Sequence, residues 1–260
     1  MLHIGRVPDG FGIGLTSPIP KFKGFKNCTT ADDYRAVTVN PVISKIFEHC
    51  IMDFISKNTR LSTRQFGFKK KVGCINSIHT IRKVINYFSN RKSTISIAIV
   101  DLRKAFDKCN TFGILCSLQK HNVNVEIINI LENWFSKNCN VVKWSGAKSD
   151  VRCQVSGVKQ GGILSPLLFS IFVDTILNVL EDSNLGCFVN YCCYNSFMYA
   201  DDLILLSISV SDLQNMIDIC ASVCDNLDLP INLKKCQCIS IEPKFKGICT
   251  PIRLREDNLE

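Results

Sequence analysis

Apolar residues recur along the chain with two different periods. Val42, Ile46, Phe47, Cys50 and Phe54 predict a helix over 42–55, and Ile75, Ile78, Ile81, Val84, Ile85 and Phe88 predict another over 75–88. Helical spacing returns over 111–120, 125–137 and, after a glycine-rich loop, 166–180. Residues 95–100 form a β-branched run that stops at Asp101, and 14–19 reads as a short strand in a Gly, Pro and Lys-rich start. Segments 140–144 and 151–155 flank Ser145-Gly146-Ala147-Lys148-Ser149, which predicts a hairpin. Segments 197–199 and 202–206 predict two strands joined by a very tight turn. Ser211-Asp212-Leu213-Gln214 has capping-box form and predicts a helix start, with Pro230 as the stop and a last strand over about 236–241. This order predicts an α+β fold with helices on one face of an antiparallel sheet.

At 260 residues the chain suits one large or two closely joined domains, and 46% hydrophobic with 21% charged residues is enough to bury a core. The densest apolar run, Ile163–Val173, ends at Asp174 and is about half the length of a membrane-spanning helix. The first residues lack the apolar region of a signal peptide. The expectation is an intracellular protein, cytoplasmic or nuclear, not secreted and without a membrane partner.

Charge is unevenly placed. From Phe54 to Val100 there is no acidic residue and there are ten basic ones, so this stretch holds a surplus of ten against a chain total of +8. A local field of that sign suits a polyanion. Arg64, Lys69, Lys70 and Lys71 are the candidate nucleic-acid contacts; a solvated surface is the plain alternative. Fifteen cysteines without a signal peptide argue against a disulfide framework. Cys220 with Cys224, Cys236 with Cys238 and Cys187 with Cys192 are possible metal pairs, but none has a finger-like partner, and His3, His49, His79 and His121 lie far off in sequence. Cysteine as a small buried apolar residue is the simpler reading.

Three carboxylates stand out by context. Asp101 ends the run over 95–100, and Asp201-Asp202 has strongly apolar neighbours on both sides. Asp32-Asp33, in a polar loop, is an internal control. Adjacent carboxylates at a buried hairpin tip repel and raise each other's pKa unless cations neutralise them, and hard divalent ions with oxygen ligands are the natural answer. A strand-end Asp and a hairpin-tip Asp can clamp two Mg2+ ions, with Mn2+ as a substitute: one ion activates an attacking hydroxyl, the other holds a triphosphate. Equally, tight turns favour Asp for conformational reasons alone.

Gly157-Val158-Lys159-Gln160-Gly161-Gly162 runs into the helix at Pro166, and its glycines let a backbone approach a substrate. Phe106, five residues after Asp101, offers a plane to pack under a nucleotide sugar and exclude a 2′-hydroxyl; taken in isolation, a core phenylalanine is the favoured reading. Lys234 and Lys235 precede the last strand.

Together these residues resemble the reverse transcriptase domain of LINE-type, non-LTR retrotransposons. Asp101–Asp107 is similar to the first palm motif, Gly157–Phe169 to the Gly-Val-x-Gln-Gly…Ser-Pro-Leu-Leu-Phe motif, and Tyr199-Ala200-Asp201-Asp202 to the catalytic hairpin. Asn232–Cys236 resembles Asn-x-x-Lys-Thr, with Cys236 in the Thr place. Pro18–Lys21, Tyr34-Arg35, Ser44–Glu48 and Gln65-Phe66-Gly67-Phe68 look like fingers motifs. The resemblance covers roughly 10–241.

It implies a right-hand polymerase with an antiparallel palm sheet backed by helices: fingers over 1–92, palm over 93–241, part of 111–160 free to pack towards the fingers, and 242–260 a truncated connection to an absent thumb. By resemblance Asp101 and Asp201 are the principal metal ligands and Asp202 an auxiliary one. Phe106 is the sugar gate, and Gln160 and Gly161 line the nucleotide pocket. Lys235 stands near the leaving pyrophosphate, with Lys234 as its rival. Lys21 and Arg35 grip the triphosphate. The implied partners are an RNA template, a DNA primer and deoxynucleoside triphosphates. Ala36 replaces the family's usual Pro, and Lys69 replaces a frequent Arg, keeping charge but losing bidentate geometry. About nineteen residues follow Ile241, too few for a thumb, and no endonuclease precedes the fingers, so the expectation is a piece of a longer polyprotein. Two rivals remain: a non-catalytic nucleic-acid-binding remnant, and an unrelated two-metal nuclease or cyclase.

Overall fold

The computed structural model describes residues 1, 4–21, 29–241 and 251–259. In chain order the strands and helices are β1 (Ile13–Pro20), β2 (Tyr34–Val39), α1 (Val42–Asn58), α2 (Cys74–Ser89), β3 (Ile95–Asp101), α3 (Ala105–Lys108), α4 (Thr111–Lys120) and α5 (Val125–Ser136). Then come β4 (Cys139–Trp144), β5 (Ala147–Lys148), β6 (Arg152–Cys153), α6 (Ser165–Asp182), β7 (Phe188–Val189) and β8 (Cys192–Cys193). The last are β9 (Ser196–Tyr199), β10 (Asp202–Ser207), α7 (Val210–Asn226), β11 (Gln237–Ile241), β12 (Arg253–Leu254) and β13 (Asp257–Asn258). The chain divides into two compact units, 1–60 with 106–171 and 61–105 with 172–260. These borders differ from the expected division at 92–93: residues 61–92 group with the strand that carries Asp101. His3 lies outside the described residues, as do 242–250 and Glu260, which belong to the expected connection.

In the first unit a mixed sheet has the order β2-β1-β4-β5, with β6 also on β4; β1 runs antiparallel to β2 and parallel to β4. The expected hairpin is present, but its turn is tighter and its return strand is split. Trp144 pairs with Ala147, and the two residues between them, Ser145 and Gly146, have φ of +46° and +86°, as a type I′ turn requires. Lys143 faces Lys148 while Asn140 faces Arg152, so the return strand has one residue too many. The excess breaks the ladder as a bulge does. Phe11, Phe47 and Trp134 pack ring to ring, joining the N-terminal loop, α1 and α5.

The second unit holds a four-stranded antiparallel sheet in the order β11-β3-β10-β9. β3 is central. Ile95 and Ile97 join Val84 and Phe88 of α2, Phe197 and Leu206 in one apolar cluster. The alternate positions Ala98 and Val100 are fully buried as well, with α7 packed on β3 and β10. Burial on both faces, rather than helices on one, is why β3 reads as a continuous apolar run. α7 begins two residues before its expected start: Ser209, not Ser211, is the cap, its hydroxyl accepting from the Asp212 amide. The helix also stops ahead of Pro230, at Asn226, where Asp228 turns left-handed with φ +55°.

All thirteen described cysteines are free thiols. Cys220 and Cys224, 4.0 Å apart on α7, are buried, and Cys220 is pushed well above the ordinary thiol pKa by their mutual hydrogen bond and burial. Burial pushes Cys187 up to about 12. Such thiols keep their protons and serve as packing. Among the described residues, no helix is long and apolar enough to cross a membrane.

Candidate active site

The carboxylates are positioned by sheet register in the second unit. β3 delivers Asp101 at its end, and β10 delivers Asp202 directly opposite it. β9 and β10 are joined by two residues, Ala200 and Asp201, because Tyr199 pairs with Asp202. Ala200 takes φ +58° to make that turn. Burial, then the charges of Asp202 and Asp101, hold Asp201 above the usual carboxylate range; Lys235 opposes this. Burial and the Asp101 charge likewise raise Asp202, again with Lys235 opposing. In the control pair, Asp33 behaves in the opposite way. Asp33 Oδ2 accepts hydrogen bonds from the amides of Thr29 and Thr30 and from the Thr30 hydroxyl, and the Thr30 bonds hold its pKa low. The apolar flanks of Asp201-Asp202 thus mark an electrostatic difference and not merely a turn.

Asp101 is held from a second direction. Lys235 Nζ lies 3.3 Å from Asp101 Oδ1, and Asn232 Nδ2 donates to Oδ2 at 3.0 Å. The Asn232 amide also donates to the Asp101 carbonyl at 2.8 Å, and the Arg103 amide to the Pro230 carbonyl at 2.7 Å. Segment 230–235 is therefore laced to the end of β3, and Lys235, not Lys234, is the lysine at the carboxylate. Sequence reasoning gave Asn232 no role; its place at the head of the Asn232–Cys236 motif was the available signal.

Among the described residues, no group of three His, Cys, Asp or Glu closes a metal site. The donor chemistry nonetheless suits a hard cation. Three carboxylates, two on adjacent strands and one in the adjoining turn, offer only oxygen; two of them have raised pKa values, and the third is already turned to a cationic partner.

The nucleotide-pocket candidates belong to the first unit. The Phe106 ring stacks on Phe169 at 4.4 Å with 16° between planes and is half-buried. The glycine loop laces the turn after it: the Gly157 amide donates to the Cys109 carbonyl and Val158 to the Phe106 carbonyl, at 2.7 and 2.8 Å. Gln160 Nε2 donates to Asp107 Oδ1 at 3.1 Å, and the Gln160 carbonyl accepts from the Thr38 amide at 2.7 Å. Gly161 has φ +111°, and a Cβ there would stand 2.5 Å from the Thr38 carbonyl oxygen. Lys159 beside it is buried, donating to the Gly12 carbonyl and, at 3.1 Å, to that of Cys139. Lys21 and Arg35 are exposed near the end of the β1–β2 pair, where Arg35 faces Ile19 and Lys21 donates to the Asp32 carbonyl.

The basic stretch divides. Lys70 and Lys71 are exposed. Lys69 is half-buried, donates to the Ser62 carbonyl at 2.7 Å, and has its pKa lowered by burial. Arg64 departs from expectation. It is buried, its guanidinium bonded to Asn195 and to the Cys193 carbonyl at 2.9 Å and paired with Glu181 at 3.3 Å. Its planar fork satisfies internal acceptors, so it supports the fold and is not turned to a nucleic acid.

A register-paired Asp on two neighbouring antiparallel strands, a third in the adjoining turn and a lysine beside them form one charged cluster at the end of the sheet. Residues 19–250 match the reverse transcriptase (RNA-dependent DNA polymerase) family, and the chain belongs to that family. It is 26% identical over 250 residues to a retrovirus-related Pol polyprotein from the type-2 retrotransposable element R2DM of Drosophila melanogaster, covering 96% of this chain and 23% of that protein. It is 25% identical over 271 residues to the RNA-directed DNA polymerase from the mobile element jockey of the same organism, covering 98% of this chain and 28% of that one. The non-LTR retrotransposon resemblance therefore holds, and the chain spans about a quarter of these relatives' length. Among solved structures it is similar to Candida tropicalis telomerase in complex with a TWJ fragment of telomeric RNA, with TM-score 0.65, 14% identity, and coverage of 94% of this chain and 43% of that one. The apo telomerase truncated from its C-terminal domain gives 0.63 at 16% identity, covering 94% and 53%. The α+β, reverse-transcriptase-like fold is thus established. The family generally uses divalent metal ions.

Proposed function

We propose that this chain performs RNA-templated DNA synthesis, in which a primer 3′-hydroxyl attacks the α-phosphate of a deoxynucleoside triphosphate and pyrophosphate leaves. The observation that carries this reading is the direct cross-strand pairing of Asp101 with Asp202, with Asp201 in the adjoining turn. Asp101, Asp201 and Asp202 would hold two Mg2+ ions, or Mn2+ in their place. Bound there, the ions supply charge neutralisation for the nucleophile and the triphosphate. Asn232 orients the Asp101 carboxylate, and Lys235 adds positive charge beside it for the departing pyrophosphate. Phe106, stacked on Phe169, is the sugar gate and favours the deoxy form. Gln160 and Gly161 line the nucleotide pocket, Lys21 and Arg35 take the triphosphate, and Lys70 and Lys71 take the RNA backbone. In this reading 1–92 act as fingers and 93–241 as palm, inside the cell.

Primer extension on an RNA template with Mg2+, run beside an RNA-binding assay, tests it. Extension by the wild type that Asp201→Asn abolishes is the expected result. Extension that survives Asp201→Asn overturns the site, and RNA binding without extension by the wild type makes the chain a binding module instead.

A further inference from the structure

The turn that presents Asp201 is held from outside as well as by the Tyr199–Asp202 pairing across it. Ala200 adopts φ +58°, a region where a non-glycine residue is disfavoured, and its methyl group has no hydrogen bond to offer in compensation. What holds it comes from a segment more than a hundred residues earlier. Gln65 is 1% exposed. Its Oε1 accepts from the Ala200 amide at 3.2 Å and from the Gly67 amide at 2.8 Å, while its Nε2 donates to the Ala200 carbonyl at 3.4 Å. One side-chain amide thus meets both backbone polar groups of the left-handed residue.

Each neighbour of Gln65 has a separate part in placing it. The Phe66 amide donates to the Met198 carbonyl at 2.8 Å and the Met198 amide to the Arg64 carbonyl at 2.9 Å, so 64–66 lies as a short parallel pairing beside β9. Arg64 anchors that pairing through Asn195 and Cys193. Phe66 packs on Phe197, ring centroids 6.1 Å apart. At Gly67 a Cβ would stand 2.3 Å from the Ala200 amide nitrogen, so only glycine permits the approach. Gln65-Phe66-Gly67, which by resemblance is a fingers motif, is here a cradle built around the hairpin tip.

We propose that Gln65 is a positioning residue for nucleotidyl transfer: by clamping the Ala200 backbone it fixes where the carboxylates of Asp201 and Asp202 stand for cation binding. This rests on the proposed function for the role of the carboxylates, but the clamp itself does not. Replacing Gln65 with an apolar residue leaves two backbone groups of the turn without partners and lets Ala200 relax out of the left-handed region. Asp201, the next residue, moves with it.

The test uses the whole chain and three variants, Gln65→Leu, Gln65→Glu and Gly67→Ala, with hydrogen exchange, direct Mn2+ titration and primer-extension kinetics. In Gln65→Leu, exchange of the Ala200 amide is expected to quicken about tenfold while that of β3 amides does not. Mn2+ affinity should weaken several-fold, and kcat should fall with KM for the nucleotide unchanged. Gln65→Glu keeps the acceptor and loses only the donor, so it should lie between Gln65→Leu and wild type. Gly67→Ala reaches the same turn by steric pressure and should reproduce the Ala200 effect even where Gln65→Leu folds poorly. Unchanged Ala200 exchange and Mn2+ affinity in a folded Gln65→Leu overturns the proposal. So does protection lost evenly across the sheet, which a general packing role would give. If the wild type neither binds Mn2+ nor extends primers, the functional reading fails while Ala200 exchange still decides the clamp.

Discussion

Asp101 and Asp202 are direct partners across two central strands, and both lie within the electrostatic reach of Lys235. Their side chains share one face of the sheet because paired residues always do. Like charges placed so are destabilising, and here the sheet tolerates them at the one end where a lysine and an asparagine converge.

Neutralising part of that charge should therefore separate stability from activity. Asp201→Asn is expected to raise Tm in divalent-free buffer, because it removes a carboxylate that burial and its neighbours already disfavour as an anion. Primer extension should fall on the order of 10³-fold or more. Asp33→Asn is the control. Its carboxylate is stabilised by hydrogen bonds, so Tm should not rise. Calorimetry on the three proteins decides the matter, and equal Tm shifts would remove the charge argument.

Phe106→Ala should admit ribonucleotides, raising the ribo-to-deoxy ratio of kcat/KM about 10–100-fold. It also uncovers Phe169, its stacking partner at 4.4 Å, so stability should drop by roughly 1–3 kcal/mol. Phe106→Tyr keeps the stack and should keep both properties. A ratio unmoved in Phe106→Ala would make this ring packing alone.

Gly161→Ala meets both a left-handed φ of +111° and a backbone oxygen 2.5 Å from the new methyl. A loss of about 2 kcal/mol or more is expected in denaturant melts. Gly146→Ala shares the positive φ, +86°, but has nothing within 4 Å. It should cost only about 1 kcal/mol, and the gap between the two isolates the close approach to Thr38.

Lys159 gives stability an alkaline pH dependence. Burial lowers its pKa to about 8, with Cys139 and Glu48 opposing. The folded chain therefore releases this proton before the unfolded chain does. The cost of burying the cation is fully present below pH 8 and is relieved as pH rises from about 8 towards the unfolded value. Denaturant midpoints should rise over that interval in the wild type relative to Lys159→Met. Parallel curves would place the amine in water.

RNA affinity should fall steeply with salt. The Lys70→Gln, Lys71→Gln pair should flatten the log–log slope by about 0.7 for each single-strand phosphate that is no longer neutralised. Arg64→Gln should leave the slope alone and lower Tm, since its guanidinium serves Asn195, Cys193 and Glu181. A slope change in Arg64→Gln without unfolding would return it to the nucleic-acid surface.

The carboxylates were legible because their signal is local: an apolar strand that stops at Asp, and a charged pair inside an apolar hairpin. The helix at 111–120 was legible to the residue, since Asn110 caps it. Arg64 and Gln65 were not. Nothing near Arg64 in sequence distinguishes an arginine turned inward from one turned to solvent; the difference lies in Asn195 and Glu181, far along the chain. The same distance hides Gln65 from Ala200. At the start of α7, two serines two positions apart compete as cap, and backbone conformation, which composition does not encode, chose Ser209.

β3 touches both β10 and β11, so one rod of backbone is the common reference for Asp202 on one side and for the segment bearing Lys235 on the other. A volume change at Val100 or Ala98, both wholly interior, would tilt that rod and misalign the carboxylates and the lysine together. Loss of synthesis without loss of folding should therefore arise from aliphatic substitutions that touch no charged group at all.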